Sequence, residues 1–195
     1  MYKRQDQETL EKVIDVNGRN KIKIESALSS KSLDLSSDSK ENKVSSGNFI
    51  TARPLGVIDG VDMQFSGQIR RIDETSIKNK LDNKEIVIIS PLGFSPIGDI
   101  FNLSYEKTAA HVSSAIKADK LIYYINHNGI LNLKGDLISE LTTHKAENLI
   151  ESIETDSSPE KAPNISINDF NILKSSMYAI TVSYTHLTLP TNREV

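Results

Sequence analysis

Apolar positions are densest between Glu85 and Leu131, and their spacing changes twice within that stretch. Ile86-Val87-Ile88-Ile89 is continuous, β-branched and too short for a globular helix, which predicts a strand buried on both faces. Tyr105, Ala109, Val112 and Ile116 then recur at helical spacing and predict a helix starting just after Asn102 or Ser104. Leu121-Ile122-Tyr123-Tyr124-Ile125 predicts a second buried strand. A strand, helix, strand unit of this kind joins parallel strands by a right-handed crossover. It leaves the loop after the first strand at the carboxyl edge of the sheet, where ligands of open α/β sheets bind. That loop, Ser90 to Asp99, holds two glycines and two prolines and predicts a shaped turn or small hairpin.

The flanking pattern is weaker. Leu10 and Val13, with Asn17, share one face of a helix over Glu8 to Val16, and Asn17-Gly18 predicts its stop. A second helical segment reaches about Ser29 on Ile24, Ala27 and Leu28. Ser26 to Ser46 is serine-rich and charged, which predicts an exposed loop or weak edge strand. Ser46 to Ala52 combines a turn with a short strand, and Val61, Met63, Phe65 and Ile69 suit a hairpin at a sheet edge. Asp73 can cap a helix carrying Ile77 and Leu81 that ends near Asp82-Asn83. Beyond the second strand, Asn126-His127-Asn128-Gly129 and Lys134-Gly135-Asp136 are turns, the latter flanked by Ile130-Leu131 and Leu137-Ile138 as a small hairpin. Thr142 or Thr143 caps a helix with Leu149, Ile150 and Ile153 on one face. Thr155 to Asn164 is a polar, proline-bearing linker, and Phe170, Leu173, Met177 and Tyr178 begin another helix.

Length and charge narrow the function classes. At 195 residues the chain suffices for one domain with a real core. Its net charge is −3 with dispersed basic residues, so no nucleic-acid footprint is indicated. No long apolar run or signal-peptide core is present, and the expectation is a soluble, cytoplasmic protein without a membrane partner. Cysteine is absent, which removes thiolate catalysis and disulfides. His111, His127, His144 and His186 show no short ligand spacing, so no metal site is expected.

Several motifs in order, SGNFITARPLGVIDGVD, SGQIRRID and SPLGFSPIGDIFNLSYEKTAA…AIKADKLIYY, resemble the amino-acid-kinase-like domain of bacterial N-acetylglutamate synthases. The resemblance covers about Gln7 to Ile153. It implies an α/β fold with a three-layer, open, mainly parallel sheet and helices on both faces, here incomplete. The expected layout is a partial kinase-like domain over 1–154, a polar linker or loop over 155–169 and the start of a further helix over 170–181. Residues 182–195 break the family pattern and resemble a translated sequencing-adapter read-through, so they are expected to be a non-native tail. The strand and glycine-rich loop that precede this region in the family have no counterpart before Met1, which predicts an internal fragment.

Candidate ligand-binding residues are Gly47, Asn48, Asn102 and Glu106, with no catalytic residue and no metal ligand. Read from the residues alone, Asn102 caps the following helix, where its amide and the helix dipole suit an anion. The resemblance implies more, because in the sister acetylglutamate kinases the matching asparagine contacts the bound acetylamino acid. Glu106 stands where those kinases carry an aspartate that organises the lysines around the phosphoryl group; otherwise it is a solvated first-turn carboxylate. Ser46-Gly47-Asn48 is a short turn and weak evidence of phosphate binding by itself. Arg70-Arg71 before Asp73 resembles a synthase signature, although physics alone makes it a surface charge pair. Lys117, Asp119 and Lys120 read as solvated.

The resemblance therefore implies part of the regulatory, oligomerising domain of an enzyme that makes N-acetyl-L-glutamate from acetyl-coenzyme A and L-glutamate, the first step of arginine biosynthesis. Acetyl-coenzyme A serves the full-length enzyme and no cofactor serves this segment. L-Glutamate or N-acetylglutamate, L-arginine as effector, and further copies of the chain are the implied partners. An ATP-dependent acetylglutamate kinase and a nonfunctional remnant are the alternatives.

Overall fold

The computed structural model describes residues 4–29, 43–126, 129–131, 137–155 and 165–184. The chain divides into two compact units, Met1–Thr108 and Ala109–Val195. Most of the Ser26–Ser46 polar stretch, part of the first turn after Ile125 and all of the second, most of the 155–164 linker and positions 185–195 lie outside the described residues.

In the first unit, α1 (Gln7–Ser29) is one continuous helix, not two segments broken at Asn17-Gly18. Asn17 donates its side-chain amide to the Val13 carbonyl at 2.9 Å instead of ending the helix. A helical glycine costs about 1 kcal/mol relative to alanine, too little to halt a helix that has hydrogen-bonded turns on either side. Asp6 caps the start through the Thr9 N–H at 2.9 Å. The Thr9 side chain first, and that N–H after it, hold the Asp6 carboxyl below its ordinary value.

Strands β1 (Lys43–Ser46), β2 (Ile50–Pro54), β3 (Val57–Ile58), β4 (Val61–Asp62) and β5 (Gly67–Ile72) follow. Then come α2 (Glu74–Asp82), β6 (Glu85–Ile88), β7 (Leu92–Phe94), β8 (Ile100–Asn102) and α3 (Tyr105–Ile116). The expected α/β class is present. Strand β1, from the end of the polar stretch, pairs in parallel with β6. A four-stranded mixed sheet has the order β5-β2-β7-β8, and β3-β4 is a separate hairpin. Asp59 and Gly60 at its tip both have positive φ, the twist that a two-residue hairpin turn requires. Strands β7 and β8 form the hairpin expected of the glycine- and proline-bearing loop, closed by Ser95 N–H to Asp99 O at 2.8 Å. Asp73 caps α2 as expected, accepting from the Ser76 N–H at 3.1 Å.

The first apolar run forms β6 but is not buried on both faces; Ile86 is 37% exposed. Among the described residues β1 is the only ladder partner of β6. Leu121–Ile125 forms no strand, with Ile122 and Tyr124 at 68% and 96% exposure. An apolar run becomes a strand only where another edge accepts its backbone N–H and C=O groups. The predicted stripe of α3 is displaced as well. Tyr105 is half exposed, and the inward side is defined by Leu103, Glu106 and Ala110 at spacings of three and four.

In the second unit, α4 (Thr143–Thr155) and α5 (Ile167–Tyr184) pack together. Ala146, Leu173 and Met177 form one apolar cluster and Ile153, Ile165 and Phe170 another. Thr142 supplies the α4 cap, its Oγ1 accepting the Lys145 N–H at 3.4 Å. Helix α5 starts at Ile167, earlier than Phe170, because Ser166 Oγ accepts the Asp169 N–H at 3.1 Å. It continues through Tyr184, past the expected 181 boundary. Leu131 and Leu137 pair in an antiparallel bridge, as the small hairpin predicts.

Candidate functional site

A cavity of about 530 Å³ opens in the first unit where three segments meet. Asn48 enters from the turn between β1 and β2, and Thr51 from β2. Arg70 and Arg71 come from β5, and Phe94, Ser95 and Pro96 from the β7–β8 turn. Register explains the meeting: Thr51 pairs with Arg71 on one side and with Phe94 on the other. Ser95 is pinned by donating its Oγ to Asp99 Oδ2 at 3.0 Å while accepting the Asp99 N–H at 2.9 Å. The chemistry on offer is two cations and several neutral hydrogen-bonding groups, which suits an anion rather than proton transfer.

Of the four sequence candidates, Asn48 lines this cavity and Gly47 adjoins it in the chain. The hydrogen that glycine carries in place of a side chain keeps residue 47 clear of the Phe49 ring, which a Cβ would meet at 3.0 Å. Asn102 and Glu106 are elsewhere, at the junction of β8 and α3. Asn102 is half-buried and held by its own N–H, which donates to the Phe65 carbonyl at 2.9 Å. It does not cap the helix. Ser104 does, accepting the Lys107 N–H on its Oγ at 3.2 Å and the Thr108 N–H on its carbonyl at 2.9 Å. Glu106 is not a solvated carboxylate either; it is 5% exposed and accepts from Ser104 Oγ at 2.5 Å.

Beside the turn that carries Gly47, Ser45 Oγ donates to Glu85 Oε2, and Lys80 Nζ lies 3.2 Å from Ser45 Oγ and 3.5 Å from the same carboxylate. The Ser45 bond first, and the Lys80 charge after it, hold the Glu85 carboxyl below its ordinary value. This cluster ties β1, α2 and β6 together. Lys117, Asp119 and Lys120 are exposed, as expected. Among the described residues no three His, Asp or Glu side chains are grouped as metal ligands, and no helix is long and apolar enough to cross a membrane. Arg70-Arg71, a surface charge pair on sequence grounds, is the main component of the cavity that sequence reasoning undervalued. Thr51 and the Phe94-Ser95-Pro96 turn were also unassigned; the position of that turn at the sheet edge was the available signal.

The model of the amino acid kinase family matches residues 15–164. The chain belongs to that family. Within it, the amino-acid acetyltransferase of Ectopseudomonas mendocina is 44% identical over 139 residues, 70% of this chain and 32% of the relative. The family member described here thus spans about a third of the length of the curated relatives it matches. A crystal structure of N-acetylglutamate synthase from Neisseria gonorrhoeae, complexed with coenzyme A and L-arginine, superposes with a TM-score of 0.77 at 31% identity. It covers 91% of this chain and 39% of that one. The same enzyme complexed with coenzyme A and N-acetyl-glutamate gives a TM-score of 0.74, also at 31% identity, over 92% and 37%.

Proposed function

We propose that this chain is the amino-acid-kinase-like portion of an N-acetylglutamate synthase, with a regulatory and assembly role. The supporting observation is the fold and sequence likeness to the Neisseria gonorrhoeae synthase across 91% of the chain. In the whole enzyme the amine of L-glutamate takes the acetyl group of acetyl-coenzyme A, releasing the thiol, in the first step of arginine biosynthesis. That reaction needs a fold that holds the amine against the thioester. The cavity residues described above offer cations and neutral donors instead, so the transfer falls to the part of the synthase that this portion does not match. L-Arginine is the proposed effector, N-acetylglutamate or L-glutamate the proposed ligand, and the cytoplasm the proposed compartment. Gly47, Asn48, Asn102 and Glu106 are the proposed contacts, and the assembly is a homo-oligomer.

The test is a chimera carrying these residues in place of the matching portion of the Neisseria gonorrhoeae synthase. Thiol release from acetyl-coenzyme A that depends on L-glutamate and responds to L-arginine is expected. The chain by itself is expected neither to acetylate glutamate nor to phosphorylate N-acetylglutamate. ADP release by the chain with ATP and N-acetylglutamate would establish the kinase alternative and overturn the proposal.

A further inference from the structure

Successive side chains of a regular strand leave on opposite faces, so neighbouring arginines should not share a cavity. Arg70 and Arg71 share one because β5 carries an extra residue. Thr51 pairs with Arg71 and Ala52 with Ile69, which leaves Arg70 opposite no residue of β2. Two residues facing one is a β-bulge, a device that re-aims a side chain and recurs beside functional sites. Here it places Arg70 and Arg71 together in the lining of the cavity that Asn48, Thr51 and Ser95 also line. Among the described residues neither arginine is engaged in an ion pair. Asp73, the carboxylate whose charge is coupled to Arg71, is occupied by the Ser76 N–H and hydroxyl at 3.1 and 2.7 Å.

We propose that the bulge builds an oxyanion site for the phosphate group of a phosphorylated small molecule. Consecutive Cα atoms are about 3.8 Å apart, so both arginine side chains start close enough together to reach one small anionic group. One guanidinium fork already saturates both oxygens of a carboxylate, whereas a phosphate keeps oxygens for the second fork and carries charge to offset both cations. Asn48 and Thr51 supply neutral donors for the remaining lone pairs. At about 530 Å³ the cavity exceeds a lone phosphate, and Phe94 and Pro96 give an apolar wall for the organic part. The site stands apart from the question of which reaction the family member serves, because it rests on the register of β2 and β5 and on the residues that line the cavity.

The experiment is a phosphorus NMR titration of the full chain at low ionic strength. Adenosine monophosphate and inorganic phosphate are the probes, and glutarate is a dicarboxylate competitor. Both probes are expected to bind, the nucleotide more tightly. R70Q/R71Q should weaken nucleotide binding by about tenfold or more. R70K/R71K, which keeps the charge and removes the forks, should weaken it by about threefold or more. Arg53→Gln removes an exposed charge on β2 outside the cavity and should change affinity by less than about twofold. Circular dichroism and the unfolding midpoint establish that each variant is folded. No binding by folded wild type, an equal loss in Arg53→Gln, wild-type affinity in R70K/R71K, or displacement of the nucleotide by equimolar glutarate would each overturn the assignment.

Discussion

Gly93 of β7 lies against Ala52 of β2 so closely that a Cβ on residue 93 would stand 2.4 Å from the Ala52 Cβ and 3.0 Å from Leu103 Cδ1. Ala52 and Leu103 are both buried, and the β2–β7 ladder leaves neither strand room to retreat. Gly93→Ala is therefore expected to destabilise the fold by about 1–3 kcal/mol through overpacking. A urea midpoint equal to wild type would show that the two strands are not in this contact.

Gly18→Ala should act in the opposite direction. Residue 18 is inside α1, and a Cβ there meets no heavy atom within 4 Å. Removing the backbone freedom of a mid-helix glycine is expected to stabilise by about 0.5–1 kcal/mol. If α1 instead broke at Asn17-Gly18, the substitution would destabilise, and helical circular dichroism would fall with it.

Asp73 makes the α2 cap pH-dependent. Its bonds from the Ser76 hydroxyl and N–H hold the carboxyl below its ordinary value. A carboxyl depressed on folding contributes stability that is complete above its unfolded value and lost as pH falls through its folded value. Asp73→Ala should thus lower the thermal midpoint at neutral pH, and the gap from wild type should close towards about pH 2. An equal gap at both pH values would mean that the carboxylate charge plays no part in the cap.

In the second unit, Leu173 packs with Ala146 and Met177. Leu173→Ala is expected to cost about 2–5 kcal/mol by leaving a cavity between α4 and α5. Tyr178 stacks on His111 with ring centroids 4.3 Å apart and its hydroxyl 3.3 Å from His111 Nδ1. Tyr178→Phe keeps the ring and should cost no more than about 1 kcal/mol. Denaturant unfolding of the two variants checks the order; comparable losses would contradict it.

Features whose cause lies within a few residues of chain were legible beforehand. The Asp73 cap, the Thr142 cap and the β7–β8 hairpin each depend on hydrogen bonds between residues three or four apart. The candidate site was legible in part, since Asn48 stands where the turn pattern suggested, whereas Asn102 and Glu106 are at a different place from the arginine cavity. Arg70 and Arg71 were visible as a charged pair, but their place in one cavity lining goes with a register shift between β5 and another strand.

By itself the sequence determined that α2 and α4 coil, that Asp73 and Thr142 cap them and which family pattern the chain follows, because local hydrogen bonding and side-chain spacing decide those matters. Tertiary structure decided that Leu121–Ile125 stays out of a sheet, that α1 runs through Asn17-Gly18 and that one unpaired residue in β5 turns two arginines into one cavity. Ladder partners and burial come from residues distant along the chain, and no local pattern encodes which edge will accept a strand.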